Sequence, residues 1–156
     1  MKCSCCGKEI GEIAFDKSYK MPDEIWELSE SEREERTQIG SDLCRLDERY
    51  FIRGVAYFPV IDTDKSYGWG IWAEVHQDNF FEYVKSYNED NSSKPAFSGK
   101  AANQIPSYEN TLGLELNVKL GNETQRPTLF FTRKDHSLTK EQSEGIAIEK
   151  VHGFGE

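Results

Sequence analysis

Leu112, Leu114, Leu116, Val118 and Leu120 alternate with Gly113, Glu115, Asn117 and Lys119, the clearest period of two in the chain and the signature of a half-buried strand. Residues 50–61 form a second β-rich stretch, the turn-forming run 62–66 follows, and 67–75 returns, so this region predicts a hairpin. Pro59 lacks the amide hydrogen that a central ladder needs, which makes the first strand an edge or a bulge there, and Gly54 marks another irregularity. In the second strand Trp69, Ile71, Ala73 and Val75 share one face, while Gly70, Trp72 and Glu74 share the other. Each face therefore carries a tryptophan. Shorter strands are predicted at 13–19, 128–132 and 146–151.

Helical spacing fills the gaps between these strands. Pro22 and Asp23 open a segment carrying Ile25, Trp26 and Leu28, after which Ser31 begins an acidic helix. Ser31-x-x-Glu34 has capping-box spacing, and Glu32 lies one turn from Arg36, so the run 30–36 reads as a solvated helical face. Asp78 caps a short helix whose Phe80, Phe81, Val84 and Tyr87 are expected to pack on the sheet. Thr139-x-x-Gln142 starts another helix, and Gly145 ends it. Residues 88–107, polar and holding Pro95, Gly99 and Pro106, read as the longest loop, a functional or mobile segment. The sum is α+β: a mainly antiparallel sheet covered by short helices, one domain over 1–156, with a cysteine knuckle at 1–12 appended to the core.

Composition narrows the class. The length of 156 residues suits one ordinary domain, and nine Phe, seven Tyr and three Trp argue for a folded, aromatic core. A net charge of −9 repels phosphate backbones and anionic headgroups alike, which speaks against nucleic acid and membrane surfaces as partners and leaves a protein partner open. No apolar run approaches a membrane span and the N-terminus lacks the apolar core of a signal peptide, so a cytoplasmic location is expected. In that reducing setting the four cysteines read as thiols or metal ligands.

Cys3-x-x-Cys6-Gly7 is half of a zinc knuckle, with the glycine free to take the turn that aims two thiolates at one centre. Cys44 offers a third ligand, and Asp42, His76, His136 or His152 a fourth; the alternative is that these cysteines are ordinary thiols. Structural zinc is the expected cofactor on the first reading. A redox role for Cys3 and Cys6 is weaker, because no strand-to-helix junction lies beside them to lower a thiol pKa. Asp135-His136-Ser137 is no relay, since consecutive residues do not align a nucleophile with a base and its orienting acid. The Walker pattern fails at Gly99-Lys100, where position 94 is Lys and position 101 Ala. Tyr67-Gly68-Trp69-Gly70-Ile71-Trp72 offers rings for stacking or, equally, for filling the core.

The chain resembles a family of small bacterial proteins classed only as a domain of unknown function. The resemblance rests on Cys3-x-x-Cys6-Gly7, Ser41-Asp42-Leu43-Cys44, Phe51-Ile52-Arg53-Gly54 leading to Pro59-Val60, Gly68-Trp69-Gly70-Ile71-Trp72, and Asp135-His136-x-Leu138-x-x-Glu141-Gln142-x-x-Gly145-Ile146, with Ser137 where the family usually has proline. It implies a one-domain cytosolic protein, no mechanism, and an interest in Cys3, Cys6, Cys44, Asp42, His136 and Gln142. Two readings follow. One is a non-enzymatic binding module with Trp69, Trp72, Asp42 and Gln142 on its contact surface and zinc held by Cys3, Cys6, Cys44 and His136. Small acidic immunity proteins, which neutralise a basic toxin by charge complementarity, are one such class. The other is a thiol- or zinc-dependent enzyme around Cys44 and His136.

Overall fold

The hairpin implied by the alternation at 50–61 and 67–75 is the spine of the structure, a computed structural model that describes residues 16–105 and 108–154. The knuckle at 1–12 lies outside the described residues, as do Cys3 and Cys6. In chain order the elements are β1 (Asp16–Ser18), α1 (Asp23–Trp26), α2 (Glu30–Arg36), β2 (Thr37–Ile39), β3 (Leu43–Leu46), β4 (Arg49–Pro59) and β5 (Ser66–Val75). They continue with α3 (Gln77–Lys85), β6 (Phe97–Ala101), β7 (Glu115–Lys119), β8 (Thr128–Phe131), α4 (Ser137–Glu144) and α5 (Ile148–Phe154). Among the described residues no helix is long and apolar enough to cross a membrane.

The fold is mixed α and β with short helices, and strands β4 to β8 close into a small barrel, a closure that the expected mainly antiparallel sheet did not specify. Its pairings are antiparallel except where β8 meets β4 in parallel, Val55 opposite Thr128. Both long strands change partner halfway along. On its outer edge β4 pairs with β3 up to Ile52 and then with β8 at Val55. The edge of β5 carries β1 at 68–70 and β6 at 73–75. Gly54 sits at the β4 switch, where a Cβ would come within 2.8 Å of both Leu129 and the Pro127 carbonyl. Only glycine lets the closing strand approach this closely.

Alternation along the two strands then builds two cores. Ile52, Ala56, Phe58, Trp69, Ile71 and Ala73 point into the barrel with Leu116, Val118 and Leu129. Phe51 and Trp72, on the outer face, join Ile25, Cys44, Leu46 and Ala102 in a second, smaller core. The 19–28 segment covers it, and the Trp72 indole N–H donates to the Tyr19 carbonyl at 3.0 Å. Arg49 ties this layer down by pairing with both Glu24 of α1 and Glu74 of β5.

Several local expectations shift. Ser29, not Ser31, caps α2, through a full capping box with Glu32, and the helix buries no residue. His76 rather than Asp78 caps α3, and His136 rather than Thr139 caps α4; each imidazole Nδ1 accepts the backbone N–H two residues on. The strand expected at 146–151 is reduced to one bridge, Val60 to Ile146, followed by α5. Ile148 and Val151 lie three apart, a helical spacing that overrides the alternation of Ile146 with Ile148. The segment 88–107 is not one long loop, because it contains β6 and buries Asn91 and Asn103. Asn103 fills the gap where β5 changes partner, accepting from the Trp72 amide at 2.8 Å and donating to Met21 and Asp23.

Candidate functional site

Helix α3 carries more apolar surface than its seat on the barrel can cover. Phe80 and Tyr83 are buried, but Phe81 is 47% exposed and Val84 and Tyr87 are exposed beside it. This corrects the expectation that Phe80, Phe81, Val84 and Tyr87 pack on the sheet: of these four only Phe80 is buried, with Tyr83 buried one turn further on, and the other three are exposed. Ile39, exposed at the end of β2, joins Phe81 and Val84 in lining an apolar hollow of about 480 Å³, floored by Leu43, Cys44 and Phe80.

A second hollow, about 650 Å³ and mostly polar, adjoins it. Asp42, Val55, Tyr57, Tyr83, Tyr87, Arg126 and Thr128 contribute to its walls, with Glu123, Thr124 and Gln125 at the 122–126 loop. The turn between β2 and β3 divides the two hollows, since Gly40 and Leu43 line one and Asp42 the other. Tyr87 donates its phenolic O–H to Asp42, and Arg126 Nε donates to the same carboxylate at 3.0 Å. Burial pushes the Asp42 carboxyl upward, but the Tyr87 and Arg126 hydrogen bonds outweigh it and hold the group below its ordinary value. Arg53 lies behind this turn. It donates from its backbone to the Asp42 carbonyl and from Nη1 to the Ser41 carbonyl, and its guanidinium covers Trp72 at 5.8 Å.

The residues singled out in the sequence fall in different places. Asp42 is the keystone of the polar hollow. Trp69 and Trp72 are fully buried, one in each core, so neither supplies a contact surface; glycine neighbours make room for the rings inside the fold. Gln142 serves the main chain: it accepts from the Phe131 amide at 2.8 Å and donates to the Leu129 carbonyl at 2.7 Å. It therefore caps the β8 edge rather than facing a partner.

Cys44 and His136 do not fit a metal or a nucleophilic couple. The Cys44 thiol is buried in the outer core, and desolvation pushes its pKa up to about 11. Both nitrogens of His136 are engaged, Nδ1 in capping α4 and Nε2 with the Glu109 carbonyl. A thiolate needs the opposite environment, and a zinc ligand needs a free ring nitrogen. Among the described residues no three His, Cys, Asp or Glu side chains converge as a metal site.

Sequence reasoning missed Tyr87, Arg126, Tyr57 and Ile39. One signal was available, the density of large apolar residues in α3, which exceeds what one buried helix face accommodates.

No curated protein and no solved structure matches the chain. One family does match, over residues 2–146, described as uncharacterized protein conserved in bacteria (DUF2199). With that span covering nearly the whole length, the chain belongs to this bacterial family of unknown function.

Proposed function

We propose that the protein is a non-enzymatic binding module that docks a protein partner on the face built by α3, the β2–β3 turn and the 122–126 loop. One observation carries this reading. Of the nine large hydrophobic residues exposed among the described ones, five (Ile39, Tyr57, Phe81, Val84 and Tyr87) line the two adjoining hollows. Scattered exposed apolar residues are ordinary, but a cluster bordered by polar groups marks an interaction site. The composition fits as well: an aliphatic and aromatic centre beside tyrosines and an arginine is the anatomy of a protein interface. The partner contributes an apolar side chain to the Ile39, Phe81 and Val84 hollow. Burying a Phe or Val side chain supplies roughly 1.5–3 kcal/mol each, enough to anchor a contact.

The enzyme reading loses its support, because Cys44 and His136 are each committed elsewhere. The test is capture of interacting proteins on immobilised wild-type chain, compared with Phe81→Glu/Val84→Glu and with a control, Ile61→Glu/Leu112→Glu, that charges exposed positions outside both hollows. The reading expects a partner retained by wild type and control and lost from the α3 variant, with all three chains melting alike. Equal retention by all three, or by none, rejects it. Sedimentation of the chain alone provides a second check, in which a dimer broken by the α3 substitutions makes the occupant a second copy and overturns the heterologous partner.

A further inference from the structure

The polar hollow holds a cation whose hydrogen-bonding capacity is only partly used. Arg126 engages Asp42 through Nε alone, its side chain is 45% exposed, and neither of its terminal nitrogens meets an acceptor among the described residues. A guanidinium presents two parallel N–H donors along that outer edge, the geometry that grips a carboxylate in bidentate fashion. The carboxylate already present cannot take this position, because Asp42 is held in the turn by Tyr87 and by Arg126 Nε.

A second positive charge stands behind the first. Arg53 Nε is buried without a hydrogen-bond partner, and burial together with the neighbouring Arg126 charge pulls the Arg53 guanidinium below its ordinary value despite Asp42. Glu123 lines the hollow too and makes no ion pair among the described residues, so the charges are Arg53 and Arg126 against Asp42 and Glu123. These four charges cancel, so the site has no surplus positive charge with which to offset a phosphate dianion, the more so in a chain of net charge −9; what favours a single carboxylate is the unengaged outer edge of Arg126. Around the open edge stand Tyr57, which is 51% exposed, and Thr128, able to flank a carboxylate with a ring face and a hydroxyl.

We propose that the outer edge of Arg126 is a carboxylate site, taking an aspartate or glutamate side chain of the docked partner next to the residue that fills the apolar hollow. The proposal deepens the docking reading and rests on it for the source of the carboxylate, but the site itself is open to small probes. Asp42 acts as a built-in competitor, holding Arg126 in place and drawing off part of its charge.

The experiment is a titration of the full chain with N-acetylaspartate, followed by the NMR signals of the Arg126 Nε–H and the Tyr57 ring. N-acetylasparagine and inorganic phosphate serve as comparison probes. Saturable shifts with N-acetylaspartate are expected, at least tenfold weaker with the other two and abolished in Arg126→Gln. Glu123→Gln, at an exposed position with no ion pair among the described residues, tightens binding about threefold. Equal shifts from the amide and the acid, tighter binding of phosphate, or no saturable shift overturns the proposal. Phe81→Glu/Val84→Glu should bind N-acetylaspartate as wild type does. Probe binding without partner docking therefore rejects the docking reading alone, whereas docking without probe binding rejects the carboxylate site alone.

Discussion

The side-chain oxygen of Gln142 lies 2.8 Å from the backbone nitrogen of Phe131, in the position that a neighbouring strand's carbonyl occupies in a ladder. The same amide donates to Leu129, so one side chain from α4 satisfies two backbone groups on the β8 edge that β4 leaves behind after Val55. Asn103 performs the parallel task for Trp72 on β5. At these points amides stand in for strands.

Gln142→Ala should destabilise the protein by about 1–3 kcal/mol, since it orphans a donor and an acceptor in a partly buried place. Gln142→Glu keeps an acceptor for Phe131 but turns a second oxygen toward the Leu129 carbonyl, and should cost at least as much. Urea unfolding of both variants checks this, and a glutamate variant as stable as wild type rejects the edge-cap role.

Gly54→Ala should lower stability by roughly 1–3 kcal/mol through overpacking alone, because the added methyl meets Leu129 and the Pro127 carbonyl at the barrel closure. Gly113→Ala makes the informative comparison. Its Cβ meets nothing within 4 Å, and the φ of +84° leaves backbone strain as its only penalty. Calorimetry should rank Gly54→Ala as the more damaging, and amide exchange of Val55 should rise selectively in that variant.

Cys44 should resist alkylation. With its thiol buried and pushed up to about 11, iodoacetamide at pH 8 should leave it unmodified in the native chain and label it fully in urea, as read by peptide mass spectrometry. Fast labelling of the native protein would contradict the packing of the outer core.

Acid should undo the clamp on the β2–β3 turn. The Asp42 carboxyl is held below its ordinary value in the folded chain, so its stabilisation is present above that value and lost as pH falls through the folded one. The difference in melting temperature between wild type and Asp42→Asn should therefore be greatest near neutrality and shrink as the pH falls below the ordinary carboxylate value. A difference independent of pH would mean that Asp42 acts through shape rather than charge.

Much of the sheet was legible because it depends on neighbours in sequence. The alternation at 112–120 contains β7, and the Pro59 and Gly54 irregularities fall where β4 ends and where it changes partner. The barrel was not legible, because its closure joins Val55 to Thr128, two residues with no local pattern in common. The candidate site was hidden for the same reason. Asp42 could be singled out, but its partners Tyr87 and Arg126 lie 45 and 84 positions further along, and only the fold brings them together. Residues 146–151 mislead in a different way: in a segment of six residues, apolar side chains fit period two and period three equally, and packing decides between them.

The partner changes along β4 and β5 have a mechanical consequence. Each strand is one unbroken length of backbone that serves the barrel with one face and the outer layer with the other, so neither core can be dismantled while its neighbour keeps a template. Trp69 and Trp72 stand on opposite sides of that shared sheet. Two hydrophobic interiors, which in separate chains would melt independently, here share a single fate.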